Sequence, residues 1–353
     1  MNKLLKRRIK NNRLVRKIYY GLSGLFKNKK LKAQAIRTVD SFGVGFKNQY
    51  EKKKVISDMV KMYAKYGYTF EEYLYYDFKN LEKEKRLSIV ADWEHMWFGS
   101  IVNDDESNLI FDNKWETYNI FGKYYGRDVL ICNGEKSATD FENFVNKHKS
   151  FIIKPLNSSC GNGIKIVDIN DYNQNVQSVY KQLLKEYNLL FIIEQLIVQN
   201  EIMAKFHPAS VNTIRIPTLR LDGEIKILHP FMRLGSGGKC VDNAGQGGII
   251  CAVAVESGEL FGAADEYCKS YDIHPDSKEQ IIGFTVPEWE EAKKFVEEMA
   301  LLVPNHRYVS WDVALTEKGW VFVEANSCGQ FVWQIATKKG FREEMNHLLK
   351  QIY

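Results

Sequence analysis

The sequence contains no cysteine motif of a metal site, no long apolar run and no secretory leader. Its six cysteines form neither a CxxC pair nor a zinc spacing, so we expect buried or incidental thiols in a reducing cytosol. No apolar run approaches the roughly 18–20 residues that span a bilayer. The basic N-terminus also lacks the apolar segment and cleavage site of a signal peptide. These absences argue against a membrane-spanning or secreted protein and predict a cytoplasmic location.

Acidic residues are missing from positions 1–37, which carry thirteen Lys and Arg, whereas the rest of the chain has 36 Lys and Arg against 44 Asp and Glu. Within this arm, apolar residues at helical spacing lie beside basic ones: Leu14, Ile18, Leu22 and Leu25 beside Arg13, Arg16 and Lys17. The pattern predicts a helix on an anionic membrane, at its inner face. The alternative is a solvated basic helix packed on its own domain. No nucleic-acid module follows the arm, so we expect no nucleic-acid partner.

The rest of the 353-residue chain is 45% apolar, enough for a globular protein with two or three subdomains. Segments rich in β-branched residues and bounded by turns predict strands at 151–155, 164–169, 191–197, 212–221 and 224–234. Helical periodicity predicts helices at 113–125, 138–148, 170–187, 288–302 and 337–353. A glycine-dense segment at 235–248 predicts a mobile loop. The order favours an α+β fold with antiparallel sheet over alternating βαβ units.

The segment WDVALTEKGWVFVEANSCGQ, residues 311–330, predicts a β-hairpin with polar residues in otherwise apolar strands. With a loop of Glu317, Lys318 and Gly319, Asp312 lies directly opposite Glu324, and Asn326 shares their face. Facing carboxylates repel, so they need a neutralising partner. Mg²⁺ suits these oxygen ligands, and the alternative is a Lys or Arg on a neighbouring strand. A two-residue loop would put the two carboxylates on opposite faces.

Two further segments contain residues that suit a nucleotide. In FIIKPLNSSCGNGIKIV, residues 151–167, Lys154 ends a strand and a glycine-containing loop follows, which suits phosphate oxygens. A glycine hairpin beside an exposed lysine is the alternative. In FIIEQLIVQNE, Glu194 and Glu201 could hold a base and a ribose, or be solvated acids. Arg215 and Arg233 lie within apolar strands and predict an anion, either a ligand or a structural carboxylate.

In their order, these pieces resemble the ATP-grasp superfamily and look closest to the sugar-transfer-associated ATP-grasp family. The resemblance covers residues 110–335 and rests on FDNKWETYNIFGKYYGRDV, FIIKPLNSSCGNGIKIV, IEQLIVQNE, HPASVNTIRIPTLRLDGEI, FMRLGSGGKCVDNAGQGGI and WDVALTEKGWVFVEAN. It implies an ATP-grasp fold, in which two α+β subdomains with antiparallel sheets grip ATP, plus a helical basic N-terminal region. The implied division is a basic arm at 1–50, a helical region at 51–110 and subdomains at 111–200 and 201–353.

The resemblance also implies roles for individual residues. It makes Lys114 and Lys154 the phosphate-binding lysines, and it places Ser158, Ser159, Gly161 and Gly163 in the loop over the triphosphate. Glu194, with the backbone of Gln195, Leu196 and Ile197, would form the adenine hinge, and Glu201 would bind the ribose. Asp312, Glu324 and Asn326 would bind Mg²⁺, and Arg215 and Arg233 would be the catalytic arginines near the transferred phosphate and the acyl substrate. Cys160 in the loop and Gln195 in the hinge depart from the family pattern.

The implied activity is an ATP- and Mg²⁺-dependent carboxylate–amine ligase that works through an acylphosphate. Its substrates would be a carboxylate and an amine or sugar, in the synthesis of a bacterial surface polysaccharide. One alternative is a kinase that phosphorylates a hydroxyl of a sugar or glycan. Another is an inactive nucleotide-binding module that tethers partners to the membrane, although the intact set of lysines and oxygen ligands argues against it.

Overall fold

Two antiparallel sheets and a layer of N-terminal helices make up the protein. The computed structural model describes residues 12–26, 28–104, 109–157, 163–172, 174–237, 247–329 and 331–352. The helices in this part of the chain are α1 (Arg13–Phe26), α2 (Asn28–Ser41), α3 (Gln49–Tyr66), α4 (Phe70–Tyr75), α5 (Lys83–Ser88), α6 (Asp92–Val102), α7 (Leu109–Asp112), α8 (Lys114–Phe121), α9 (Ala138–Lys147), α10 (Val176–Glu186), α11 (Glu201–Ala204), α12 (Trp289–Leu301), α13 (Trp333–Thr337) and α14 (Arg342–Ile352). Across the described residues, no helix combines the length and apolar character needed to cross a bilayer.

The smaller sheet has the strand order β1–β4–β2–β3 and is antiparallel throughout. Its strands are β1 (Val129–Asn133), β2 (Ser150–Pro155), β3 (Lys165–Asp168) and β4 (Leu190–Gln195). One face buries Phe151, Ile153, Phe191 and Ile193 in a core shared with α9 and α10. Because side chains alternate along a strand, Ile152, Lys154 and Glu194 lie on the opposite face. That face carries the first part of the candidate site.

The larger sheet has the order β11–β10–β5–β7–β8–β9, with β6 paired to β5. Its strands are β5 (Ile214–Leu221), β6 (Glu224–Ile227), β7 (Phe231–Leu234), β8 (Ile249–Val253), β9 (Leu260–Ala264), β10 (Tyr308–Thr316) and β11 (Gly319–Asn326). Helix α12 shares a core with one face of the sheet, through Val296 and Met299. Helices α6, α13 and α14 share a second core with the other face.

The N-terminal helices form an aromatic-rich core of their own. Tyr20 of α1, Val39 of α2 and Met59 of α3 pack with Tyr68 and Trp93. The helices on both sides of the predicted boundary at residue 50 therefore share one core, and the four-part division of the chain stays a prediction. Helix α6 joins this core to the larger sheet, because Trp93 contacts the helices whereas Phe98 packs with residues of the sheet.

The hairpin of β10 and β11 has a two-residue turn of Glu317 and Lys318, since Thr316 pairs with Gly319. The predicted three-residue loop is therefore wrong. Asp312 nevertheless pairs directly with Glu324, because the register shifts between Asp312 and Val313. Such a bulge places two residues of one strand opposite one of the other. A two-residue turn without a bulge would not place Glu324 opposite Asp312. The bulge brings the two carboxylates back into direct opposition.

Other elements differ from prediction for local reasons. The strand predicted at 224–234 is two strands, β6 and β7, with Leu228, His229 and Pro230 between them. Pro230 has no N–H to donate, and His229 has a left-handed backbone with φ of 45°. The helix predicted at 170–187 begins only at Val176, and β8 and β9 were not predicted. Most of the glycine-dense segment, residues 238–246, lies outside the described residues.

We expect Gly67 to be required for docking α1 and α6. It ends α3 with φ of 79°, and a Cβ there would lie 2.5 Å from Trp93 Nε1 and 2.6 Å from Tyr20 Cε2. Gly67→Ala should lower the free energy of unfolding by about 2–4 kcal/mol, through left-handed strain and overpacking. Urea denaturation followed by tryptophan fluorescence measures this change.

Gly43 is the matched control, because its φ is also positive, at 62°, but a Cβ added there would meet nothing within 4 Å. Gly43→Ala should therefore cost only the strain, about 1–2 kcal/mol. Equal losses of stability in both variants would show that the Gly67 contacts do not matter.

Candidate functional site

A buried ion cluster lies on the face of the smaller sheet that is opposite its core. The Glu194 carboxylate lies 2.9 Å from Lys154 Nζ and accepts hydrogen bonds from Arg127 Nε at 2.9 Å and Nη2 at 2.5 Å. Lys154 and Glu194 come from neighbouring strands, where Glu194 pairs with Ile152, so the two side chains share a face. Sequence reasoning proposed Lys154 and Glu194 but missed Arg127.

The charges of this cluster stabilise one another. Burial opposes ionisation of Glu194, but Arg127 and Lys154 outweigh it and lower the pKa of its carboxyl to about 2. Glu194 is therefore an anion at neutral pH and holds the Lys154 ammonium at a defined place. A buried charge without such partners would be strongly destabilising.

Arg127 also joins the two sheets. Its Nη1 donates to the carbonyl oxygen of Phe322 at 2.6 Å and to that of Tyr125 at 2.9 Å. Its guanidinium lies 4.6 Å from the centre of the Tyr125 ring. Phe322 lies in β11 beside the bulge, whereas Glu194 lies in β4 of the smaller sheet. One side chain thus fixes the bulged strand relative to Glu194.

Lys114 is the first residue of α8 and lies beside the smaller sheet. Its backbone N–H donates to the carbonyl oxygen of Leu156 at 3.1 Å, which places α8 beside the end of β2. The pKa of Lys114 is lowered overall, mainly by burial. The charge of Glu324 partly offsets this shift, and the charge of Lys154 adds to it. Lys154 on the smaller sheet and Glu324 on the larger sheet are thus among the charges that act on Lys114. A direct contact, the backbone hydrogen bond to Leu156, places Lys114 beside the strand that carries Lys154.

A second ion cluster lies on the larger sheet. Arg215 pairs with Asp312 across β5 and β10, with Nε to Oδ1 at 2.6 Å and Nη2 to Oδ2 at 2.8 Å. Arg233 Nη2 donates to Asp312 Oδ2 at 2.9 Å and to Thr213 Oγ1 at 2.7 Å. Burial would raise the pKa of the Asp312 carboxyl, but the two arginines outweigh it and lower the pKa. Arg215 on the neighbouring strand β5, together with Arg233 on β7, thus neutralises the Asp312 charge, as one of the two alternatives from the sequence expected.

The metal role of Asp312, Glu324 and Asn326 stays a prediction, and the donor set fits it. Glu324 is exposed, and Asn326 Nδ2 is buried without a hydrogen-bond partner among the described residues. In the part of the chain that the structure describes, no three His, Cys, Asp or Glu side chains form a metal-binding group. A cation at this face would combine the carboxylates with the side-chain oxygen of Asn326 and with oxygens of a ligand, as Mg²⁺ commonly does beside phosphates.

The predicted adenine hinge follows β4 as an irregular, half-buried segment of Leu196 and Ile197. The backbone N–H of Gln195 donates to the backbone carbonyl oxygen of Asp128 at 2.9 Å and so is already occupied, whereas Leu196 and Ile197 follow the end of the strand. Glu201, the predicted ribose-binding residue, begins α11 with an exposed side chain, and its N–H donates to Glu317 Oε1 at 3.0 Å.

The predicted phosphate loop is only partly described. Ser158, Ser159, Cys160 and Gly161 lie outside the described residues. Gly163 has φ of 74°, and a Cβ there would lie 2.8 Å from Pro155 Cγ, so the close approach of this turn to β2 requires glycine. The loop thus returns to β3 directly beside the strand that carries Lys154.

Comparisons with known proteins give one family. The family model described as "Sugar-transfer associated ATP-grasp" matches residues 96–350. A comparison with curated proteins finds no significant match.

Solved structures show a remote likeness. The ADP complex of PurK, N5-carboxyaminoimidazole ribonucleotide synthetase, matches at 11% identity and a TM-score of 0.40, over 64% of this chain and 47% of that one. ATP-grasp ligase PsnB complexed with a minimal precursor matches at 10% and 0.43, over 71% and 63%. D-Alanine-D-alanine ligase from Helicobacter pylori matches at 13% and 0.44, over 74% and 68%. This chain spans less than two thirds of the first two structures, and such scores support no conclusion about its activity.

The Glu194 cluster predicts a defined response of stability to acid. Because the pKa of Glu194 is lowered from 4.5 to about 2 on folding, its contribution is fully present above about pH 4.5 and is lost as the pH falls to about 2. Glu194→Gln should lose about 3–5 kcal/mol of unfolding free energy at neutral pH, because it leaves two buried cations unpaired. Its stability should also depend less on pH in that window.

Urea unfolding at several pH values measures both effects. Glu259→Gln is the control, since Glu259 is exposed and lies away from the cluster; it should behave as the wild type. If Glu194→Gln kept wild-type stability at neutral pH, the proposed role of the buried ion pairs would be wrong.

Proposed function

Since the chain belongs to the sugar-transfer associated ATP-grasp family, we propose that this ATP-grasp ligase joins a carboxylate to an amine through an acylphosphate. It would use ATP and Mg²⁺ and would act on a sugar or glycan precursor in surface polysaccharide synthesis. The glycan part of the proposal rests on the description of the family. The carboxylate and the amine are the expected small-molecule partners.

The observation that carries the proposal is the ion cluster of Lys154, Glu194 and Arg127, which reaches the larger sheet through the Phe322 carbonyl, with Lys114 beside the end of β2. Two lysines beside one strand are a suitable site for a polyphosphate, because each supplies a point charge to its oxygens. Glu194 orients Lys154 and is itself held by Arg127. The hinge residues Leu196 and Ile197 would receive the adenine, and Glu201 the ribose.

The metal would lie on the larger sheet. Asp312, Glu324 and Asn326 would hold Mg²⁺, which neutralises charge on the phosphates and orients them. Asp312 would then share its carboxylate between the cation and its arginine partners. The pairing of Arg215 and Arg233 with Asp312 keeps the Asp312 carboxyl ionised, so it remains a suitable ligand at neutral pH.

The two arginines would serve the reaction itself. A substrate carboxylate oxygen attacks the γ-phosphorus, an O–P bond forms, and the bond to the β-phosphate oxygen breaks to release ADP. The amine then attacks the acyl carbon, a C–N bond forms, and phosphate leaves as the amine loses a proton. Arg215 and Arg233, fixed by Asp312 and Thr213, would stabilise charge on the acylphosphate and on the later oxyanion.

We further propose that the reaction takes place on the cytoplasmic side of an anionic membrane surface. The support is the charge of residues 1–37, which carry thirteen Lys and Arg and no acid. The protein would be held there peripherally, by charge and apolar contact. Nucleic acid is not an expected partner.

Glu324→Gln tests the metal and the reaction together. The enzyme is incubated with ATP, Mg²⁺, pooled carboxylates and hydroxylamine, which traps an acylphosphate as a hydroxamate. The wild type should form hydroxamate and phosphate, and the variant should be slower by about 100-fold or more, because it loses a charged metal ligand. Glu290→Gln, at an exposed position on α12 that is 63% accessible, is the matched control and should retain full activity.

The assay separates the alternatives. ADP with a phosphorylated product and no hydroxamate would identify a kinase instead. ATP binding without turnover in any pool would identify a nucleotide-binding module. Normal hydroxamate formation by Glu324→Gln would contradict the metal assignment, provided that thermal melting confirms an intact fold.

A further inference from the structure

Helix α1 exposes an apolar face. Its large apolar residues Leu14, Val15, Ile18, Tyr19 and Leu22 are each between 43% and 67% exposed. They follow the i, i+4 and i, i+3 spacing of one helical side. Isolated exposed apolar residues need no explanation, but five on one 14-residue helix form a contiguous patch of the kind that marks an interaction site.

The opposite side of α1 is fixed to the protein. Tyr20 and Ser23 are buried, and Tyr20 packs edge-on against Tyr63 of α3, with ring centres 5.0 Å apart. A Cβ added at Gly24 would lie 2.4 Å from the Cβ of Ala64, so α1 and α3 approach closely there. The apolar face is therefore held outward by a packed inner face. This supports the predicted helix, although the side chains of Arg13 and Leu25 lie outside the described ones.

The positive charge of α1 and α2 indicates which partner the apolar face of α1 would bind. Lys17, Lys29, Lys30 and Lys32 are exposed on α1 and α2, within a stretch that carries no Asp or Glu from residue 1 to 37. A second copy of the chain would bring two such basic regions together, which is unfavourable. An anionic lipid surface satisfies both features, since it attracts lysines and accepts apolar side chains below the headgroups.

We propose that α1 is a membrane-docking helix that inserts its apolar face, Leu14, Val15, Ile18, Tyr19 and Leu22, between the headgroups of an anionic membrane. The helix lies in the plane of the surface and does not cross it. The basic residues of α1 and α2 supply the long-range attraction, and the apolar side chains supply the anchoring.

The docking helix is connected to the candidate site through α6. Trp93, near the start of α6, packs at 6.2 Å from the Tyr20 ring. At the other end, Asn103 Nδ2 donates to the carbonyl oxygen of Ser327 at 2.7 Å, directly beside Asn326. An 11-residue helix is about 16 Å long, so the site lies a short, fixed distance from α1. An α1 docked on a membrane would therefore hold the site of the proposed function near the membrane surface.

Flotation of the full chain with vesicles tests the docking. Vesicles of phosphatidylcholine with phosphatidylglycerol should bind the wild type, and binding should weaken with salt. The variant Leu14→Asp/Ile18→Asp/Leu22→Asp should bind at least about tenfold less, with an unchanged melting temperature because the three positions are exposed. Phe261→Asp/Ile273→Asp/Leu301→Asp changes three exposed apolar residues elsewhere and should bind as the wild type.

Each outcome decides the proposal independently of the reaction, because hydroxamate formation from soluble substrates is measured on the same samples and should be unchanged. Wild-type binding by the α1 variant, or equal loss in the control, would overturn the proposal. So would absence of vesicle binding by the wild type, or a dimer of the wild type that the α1 variant abolishes. If the triple variant fails to fold, Ile18→Asp alone carries the same expectation in weaker form.

Discussion

The buried Glu194 carboxylate is the interaction on which the site depends. Removing a carboxylate from water costs several kcal/mol unless well-placed cations replace the water. Lys154 and Arg127 do so here, at distances between 2.5 and 2.9 Å. Because Glu194 needs both cations, the positions of both are fixed. Lys154 is held against Glu194 on the smaller sheet, and Arg127 also reaches the Phe322 carbonyl oxygen in β11.

The two sheets carry different parts of the candidate site. On the proposed function, the smaller sheet, with Lys114 beside it, would supply the positive charge for a triphosphate. The larger sheet would supply the oxygen ligands and the arginines, since the bulge in β11 keeps Glu324 opposite Asp312. Arg127 connects the two halves through the carbonyl oxygen of Phe322. Arg127 is therefore one of the contacts that tie the two halves together, beside the hydrogen bond from the Glu201 N–H to Glu317.

The sequence predicted the parts of this site that repeat a pattern or resemble a family. The β-branched segment at 151–155 and the apolar segments on both sides of a turn in 311–330 were sufficient for the strands. The bulge could not be predicted, since no residue type requires it, and the opposition of Asp312 and Glu324 was expected from a wrong turn. Arg127 was missed because it follows a glycine in a turn, and its partners lie 67 and 195 residues away in sequence.

The central claim is that these lysines and oxygen ligands form one site for ATP with its metal. Calorimetric titration of a non-hydrolysable ATP analogue into the wild type and Lys154→Gln, with and without Mg²⁺, tests it most directly. The account predicts Mg²⁺-dependent binding by the wild type and a Kd at least about tenfold weaker in the variant, since a charge-assisted contact is worth about 1.5–3 kcal/mol. Equal affinity in both proteins, with or without Mg²⁺, would contradict it.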